Sequence, residues 1–273
     1  MSASGKRPRL IATDLDGTIV SHYGVITDRT KAAFHAAHHA GIEIFFVTGR
    51  PPRWMPEIAA AFSFGNSILG NGALHYDIHN EKVLEDWLMP ATNQIETVNR
   101  LRMAIPNISF ALEAHNYFHR EKSYIPRWDA GLDNVGVHDI TEVIQGPALK
   151  LLARCSQQEL SSDEMLAIAL RELEGIATVT HSNSHDSLLE INAPGVSKGA
   201  TLSLLAERIG IGPDDAVAFG DNPNDFSMLR WAGRSWAMAD GHHEGPQHAK
   251  FVAEPHIEDG VAKVIEQLLE LPA

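Results

Sequence analysis

The feature of this 273-residue chain that most restricts its fold is a set of short runs with no polar face: RLIATD (9–14), IEIFFVTG (42–49) and DAVAFGD (215–221). A strand with one wet face alternates apolar and polar residues, because successive side chains point to opposite sides. A strand that is apolar throughout has to be covered on both sides, as in a parallel sheet flanked by helices. Helical patterns separate the runs. ITDRTKAAFHAAHHAG (26–41) stops at Gly41, PPRWMPEIAAAF carries prolines in its first turn, and SKGATLSLLAERIG (197–210), NDFSMLRWAG (224–233) and DGVAKVIEQLLEL (259–271) follow near the C-terminus. SWAMAD and KFVAE add two strands, and SILGNGALHY gives a strand broken at the turn dipeptide Asn71-Gly72. The pattern predicts an α/β core built from two separate blocks.

Between the blocks the rhythm changes. TNQIETVNRLRMAI reads as a helix, ISFALEA and NYFHREKS as a hairpin, ALKLLARC as a strand, and SSDEMLAIALREL as a helix opened by a capping box of Ser161 and Glu164. ATVTHS and SLLEIN read as further strands. We therefore expect a second, α+β domain at 82–186 inserted into a core formed by 1–81 and 187–273.

Composition removes several function classes. The net charge is −13, with no basic cluster beyond KRPR near the start, which excludes a nucleic-acid footprint. No apolar run approaches the ~20 residues that cross a bilayer, so no membrane partner is expected. The basic N-terminus is followed by an apolar stretch that Asp14 interrupts, a poor signal peptide. Cys155 is the single cysteine, which rules out an internal disulfide and fits a cytoplasmic address. The fifteen histidines scatter. His35, His38 and His39 share one helical stretch without acidic partners at ligand spacing, and read as surface residues.

Four strand ends carry chemistry. The first run ends in Asp14-Leu15-Asp16-Gly17-Thr18. Two carboxylates ~4 Å apart repel by about 4 kcal/mol at an effective dielectric near 20, so something positive is expected between them. A turn at a strand end accounts for one Asp and the Gly, not for the second Asp. The second run ends in Thr48-Gly49-Arg50, a hydroxyl and a flexible backbone N–H that could hold a phosphate oxygen or simply close the strand. In Gly195-Val196-Ser197-Lys198-Gly199 a lysine opens a helix, against the helix dipole unless it shares an anion with that helix start. Finally, Phe219-Gly220-Asp221-Asn222-Pro223-Asn224-Asp225 runs another buried strand into oxygen donors of the kind that suit Mg²⁺, or a helix cap. Ligands of open α/β sheets bind beyond the carboxyl ends of the strands, where all four pieces fall.

Together the four pieces resemble the haloacid dehalogenase-like phosphatase superfamily, whose motifs occur in this order and spacing. The insert after VTGR, the Asn71-Gly72-Ala73 turn and the LEINAPGVSKG stretch look more narrowly like the Cof-type sugar phosphatases. The resemblance covers residues 9–80 and 187–255; in the insert it is architectural only. It implies a Rossmann-like parallel-sheet core with an inserted α+β cap. It also implies an Mg²⁺-dependent phosphatase that hydrolyses small phosphorylated metabolites through an aspartyl-phosphate. Asp14 would be the nucleophile and Asp16 the general acid and base. Asp14, the Asp16 backbone carbonyl, Asp221 and Asp225 would hold the metal, and Thr48, Gly49, Lys198 and Asn224 the phosphate. Candidates for contacting the leaving group are Arg50 beside the phosphate site, Glu113, His115, Arg120 and Tyr124 on the hairpin, and His185 near the hinge. The expected partner is a small phosphorylated metabolite bound by a monomer or homodimer. The rival readings are a phosphomannomutase-like isomerase and a non-catalytic sugar-phosphate sensor.

Overall fold

The computed structural model describes residues 5–21, 24–115, 117–126, 135–155 and 160–272. In chain order the first block is β1 (Leu10–Thr13), α1 (Asp28–His39), β2 (Glu43–Val47), α2 (Pro56–Ala61), β3 (Asn66–Leu69), β4 (Leu74–Asp77) and β5 (Lys82–Asp86). The middle holds α3 (Ala91–Ala104), β6 (Ile108–Ala114), β7 (Tyr117–Arg120), β8 (Lys150–Cys155), α4 (Ser162–Glu172), β9 (Thr178–Thr180) and β10 (Leu188–Asn192). The last block is α5 (Lys198–Arg208), β11 (Ala216–Gly220), α6 (Phe226–Trp231), β12 (Arg234–Met238), α7 (Gly245–His248), β13 (Phe251–Ala253) and α8 (Gly260–Leu269). Asn116, at the head of the expected second hairpin strand, lies outside the described residues. No helix among the described residues is long and apolar enough to cross a membrane.

An eight-stranded sheet runs β13-β12-β11-β1-β2-β3-β4-β5. Its strands from β13 to β3 are parallel, and β4 and β5 turn back antiparallel. The absence of a polar face in the central strands has the expected cause. Ile11, Phe46, Val217 and Phe219 pack on one side with Phe34 of α1 and Ile265 of α8. Leu10, Ala12, Phe45 and Val47 pack on the other with Leu202 and Leu205 of α5 and Met228 of α6. Each strand therefore removes both its faces from water.

A separate five-stranded antiparallel sheet, β7-β6-β8-β10-β9, forms the cap. Here the strands do alternate. Phe110, Leu112, Leu151, Ala153, Leu189 and Ile191 belong to the apolar core with Val98 and Leu101 of α3 and Met165 of α4. Glu113, Lys150, Arg154 and Glu190 are 3–5% exposed and point to the opposite face, where Glu113 and Lys150 meet the core domain and Arg154 bonds the Ile125 carbonyl within the cap.

Strand pairing fixes where the two sheets exchange chain. Lys82–Asp86 continues the β3-β4 meander as the edge of the large sheet, its residues alternating between exposed and half-buried. Leu188–Asn192 pairs with β8 and β9 in the cap. The chain thus leaves the core sheet after 86 and the cap sheet after 192, a few residues beyond the edges at 82 and 186 that composition suggests. Strand pairing decides both edges, and short apolar runs do not announce their partners.

Candidate active site

Register brings the strand ends together. Thr13 of β1 pairs with Phe219 of β11 and Phe46 of β2, so Asp14, Asp221 and Thr48 emerge side by side at the carboxyl edge. The Asp14 amide donates to Phe219 O at 3.0 Å, completing the β1–β11 ladder up to the acidic residue. Gly17 has φ +80°, and a Cβ there would collide with the Asp221 carboxylate. The turn after β1 needs glycine both for its left-handed backbone and for this close approach. Thr18 Oγ1 lies 3.5 Å from Asp14 Oδ2 and 3.4 Å from Asp221 Oδ1, spanning the two acids.

Lys198 is fully buried at the start of α5, behind the N-cap Ser197. Its ammonium donates to Asp14 Oδ1 at 2.5 Å and to Asp225 Oδ1 at 2.7 Å. The other Asp225 oxygen accepts from the amides of Asp221 (2.9 Å) and Asn222 (3.1 Å), so both its oxygens are engaged. Burial pushes Asp14 up to about 7; Asp225 and Asp16 push the same way, and Lys198 opposes them. Asp221 is raised well above the usual carboxylate range by burial, then by Asp14 and Asp225. Burial disfavours the Lys198 charge, but Asp14 and Asp225 outweigh it and hold that ammonium above its ordinary range. One ammonium does not balance three acids whose oxygens lie within 4.8 Å of one another. Hard oxygen donors with unrelieved negative charge are the donor set that suits Mg²⁺ or a similar divalent cation.

On the neighbouring strand, Thr48 is 1% exposed and accepts from Asn71 N at 2.9 Å through its carbonyl. Asn71 sits in the left-handed region (φ 59°) where the chain reverses between β3 and β4. Its side-chain oxygen accepts from Asn224 Nδ2 at 3.2 Å, which joins the loop after β11 to the turn between β3 and β4. The Gly49 carbonyl accepts from Lys150 Nζ of the cap at 2.8 Å.

Of the candidate substrate contacts, Arg50 is engaged elsewhere. It holds Asp16 through two bonds, Nη2–Oδ1 at 2.5 Å and Nε–Oδ2 at 2.8 Å, and it also pairs with Glu57. The Asp16 side chain remains 57% exposed. Glu113 makes a two-pronged pair with Arg53 of the core (2.5 and 2.9 Å). Arg120 bonds the Tyr124 carbonyl (3.2 Å) within the cap, Tyr124 is buried beside Phe118, and His115 lies near Tyr76. The His185 amide donates to Asn183 Oδ1 in its own turn. Sequence reading missed Arg53, Lys150 and Glu190. For the last two the available signal was a charge set among apolar strand residues, Lys150 in KLLARC and Glu190 in LLEIN; Arg53, in the turn after β2, carried none.

A second cluster, Asp163, His181 and His242, also gathers ligand-type atoms within 4.8 Å. Asp163 and His181 belong to the cap, and His242 follows β12 of the core. Asp163 Oδ1 receives His181 Nε2 at 2.8 Å and His242 Nε2 at 3.0 Å. His242 Nδ1 accepts from the Glu244 amide at 3.2 Å, so its proton is on Nε2 and directed at Asp163. A metal-binding imidazole does the reverse, donating from its other nitrogen. Both histidines are buried, unlike the surface histidines of α1.

The model of the haloacid dehalogenase-like hydrolases matches residues 11–265. The chain belongs to that family. Among curated relatives, this hydrolase is 28% identical to the pyridoxal phosphate phosphatase YbhA of Escherichia coli, over 94% of this chain and 97% of the relative. It is 26% identical to the 5-amino-6-(5-phospho-D-ribitylamino)uracil phosphatase YcsE of Bacillus subtilis, over 94% of each. The solved structure of the subclass IIB sugar phosphatase BT4131 superposes with a TM-score of 0.78 at 20% identity, over 94% of this chain and 98% of that one. This last likeness establishes the shared fold, a parallel-sheet core with an antiparallel cap.

Proposed function

We propose that this hydrolase is a Mg²⁺-dependent phosphatase of small phosphorylated metabolites, acting through an aspartyl-phosphate on Asp14. The observation that supports it most is the buried Lys198 ammonium shared by Asp14 and Asp225, with Asp221 crowded against them and their negative charge unrelieved. Asp14, Asp221 and the Asp16 backbone carbonyl would hold the ion, with Asp225 behind them, and the ion supplies the positive charge that lets a carboxylate approach a phosphate.

An Asp14 carboxylate oxygen attacks phosphorus while the bond from phosphorus to the leaving oxygen breaks. Asp16 delivers the proton that this oxygen takes away. Water then attacks phosphorus, Asp16 removes its proton, and the Asp14–phosphorus bond breaks to release phosphate. Asp16 has to exchange its Arg50 contact for the leaving oxygen on each turnover, which its exposure permits. Lys198 fixes the attacking carboxylate. Thr48, the Gly49 amide and the second hydrogen of Asn224 Nδ2 hold phosphate oxygens, so the protein contributes mainly position and charge. The cap strands over Gly49 keep water from the site and leave room for a small leaving group rather than a protein.

Release of phosphate from para-nitrophenyl phosphate with Mg²⁺ tests the reading; a folded protein that releases none overturns it. With a hexose 1-phosphate the expected product is free phosphate, and accumulation of the 6-phosphate would establish a mutase instead.

A further inference from the structure

Glu190 lies in the middle of β10, on the cap face that meets the core, and is buried. Its carboxylate pairs with Lys150, whose ammonium also donates to the Gly49 carbonyl at 2.8 Å, and it accepts from the Asn71 side-chain amide. Asn71, buried in the turn between β3 and β4, accepts in its turn through Oδ1 from Asn224 Nδ2 at 3.2 Å. The Asn224 backbone amide donates to the His181 carbonyl of the cap at 3.2 Å, so the cap holds this residue from a second side. Gly49 is packed against the same groups: a Cβ there would stand 3.0 Å from Asn71 Oδ1 and 3.3 Å from Glu190 Oε1. A line of side chains therefore runs Lys150–Glu190–Asn71–Asn224, from the cap sheet to two of the residues assigned to phosphate.

This line has a direction, and a single charge sets it. Burial pushes the Glu190 carboxyl up, but Lys150, Asn71 and Lys198 outweigh it and keep it charged, so it is an acceptor only. A carboxylate admits only the nitrogen end of the Asn71 amide. That leaves Oδ1 for Asn224, and an oxygen there admits only the nitrogen end of Asn224. Run in reverse, the line would set the Asn71 oxygen against the carboxylate. Asn224 would then present an oxygen where its phosphate-binding hydrogen belongs. Away from water neither error is screened.

We propose that Glu190 is a positioning residue: from the cap, through Asn71, it fixes which end of the Asn224 side chain faces the phosphate. Glu190 itself touches no substrate. The assignment rests on the phosphatase reading and deepens it, since it makes phosphate affinity in the core depend on one carboxylate of the cap.

The test is a double-mutant cycle read by inorganic phosphate, as a competitive inhibitor of para-nitrophenyl phosphate hydrolysis in the full chain with Mg²⁺. Asn224→Ala removes the donor. Glu190→Gln keeps the size of the side chain and removes the charge that orients that donor, because a carboxamide at 190 accepts either direction of the line. Each change alone is expected to raise the Ki of phosphate about tenfold, the scale of one hydrogen bond to a charged group. Combined, they raise it by less than about threefold beyond Asn224→Ala alone, since no amide is left to orient. A merely structural role for Glu190 would make the two losses add, to about a hundredfold. Asp163→Asn, which loosens a cap–core contact elsewhere, should leave the Ki within about threefold of the unaltered protein. The rise in Tm on adding phosphate gives the same comparison in any variant that turns over too slowly. Additive losses, an unchanged Ki in Glu190→Gln, or an equal loss in Asp163→Asn overturns the positioning role while leaving the phosphatase reading standing. Absence of para-nitrophenyl phosphate turnover in the unaltered protein instead brings down the phosphatase reading, and the positioning role with it.

Discussion

Two clusters in this protein gather three potential metal ligands each, and they differ in how their charge is met. Asp163, His181 and His242 form a set closed around one carboxylate, which accepts from both imidazoles; the Glu244 amide fixes the tautomer of His242, and His181 Nδ1 is left buried without a hydrogen bond among the described residues. Asp14, Asp221 and Asp225 form an open one. Asp225 has both oxygens held by an ammonium and two amides, whereas among the described residues Asp14 Oδ2 and Asp221 Oδ1 have only the one Thr18 hydroxyl between them, at 3.5 and 3.4 Å, and Asp14 and Asp221 are each raised by burial and by their acidic neighbours. Residue type alone would favour the histidine cluster as a metal site. Charge and proton placement favour the acidic one. A cation is needed where negative charge is buried without enough donors, not wherever ligand atoms converge.

The comparison can be broken most severely at Asp14. Asp14→Asn is expected to lower kcat for para-nitrophenyl phosphate by more than about 1000-fold with an unchanged circular dichroism spectrum, since the nucleophilic carboxylate becomes a neutral amide. Near-parental turnover would show that the acidic cluster is not the reacting centre. Lys198→Met should cost roughly 100-fold or more in kcat, the scale of losing one preorganised charge contact. Removal of divalent ions by EDTA should stop turnover and Mg²⁺ should restore it, whereas activity after exhaustive chelation would contradict the charge argument.

A subtler outcome concerns pH. Asp14 in the folded chain is pushed up to about 7 from an ordinary value of 3.8, so between those values the folded state binds more protons than the unfolded one. Metal-free stability should therefore fall as pH rises through that window. Mg²⁺ competes with the proton, so the rise in Tm on adding it should be larger at pH 8 than at pH 5; scanning calorimetry at both values checks the sign. The smallest effect is expected at the closed cluster. Asp163→Asn weakens the hydrogen bonds to both histidines, lowering Tm by a few degrees on the scale of about 1–3 kcal/mol. Elemental analysis of the purified protein should find no zinc bound there, and stoichiometric zinc lost in this variant would reverse the distinction between the clusters.

Much of the candidate site at the carboxyl edge is legible in sequence because it depends on local chemistry. Asp14, Thr48 and Asp221 each follow a run that is apolar throughout, and such runs have to lie in a doubly covered sheet whose strand ends converge. Gly17 is legible as a turn, though only the fold shows that its missing Cβ makes room for Asp221. The Asn71-Gly72 reversal was visible as well, but not that Asn71 would bond to Asn224, 153 residues away. Arg50 is legible in sequence as a cation beside Thr48 and Gly49, but only the fold shows that Asp16 and Glu57 pair with it.

By itself, the sequence determined the parallel core, the insertion of an α+β unit and the acids at the strand ends, because each follows from periodicity or from residues adjacent in the chain. Tertiary structure alone decided where the sheets exchange strands, which histidines are buried, and that Lys150 and Glu190 of the cap meet Gly49 of the core. The reason is that pairing across sheets and domains is set by long-range register and packing, and alternating polar positions in a strand say that a face exists without saying what it will face.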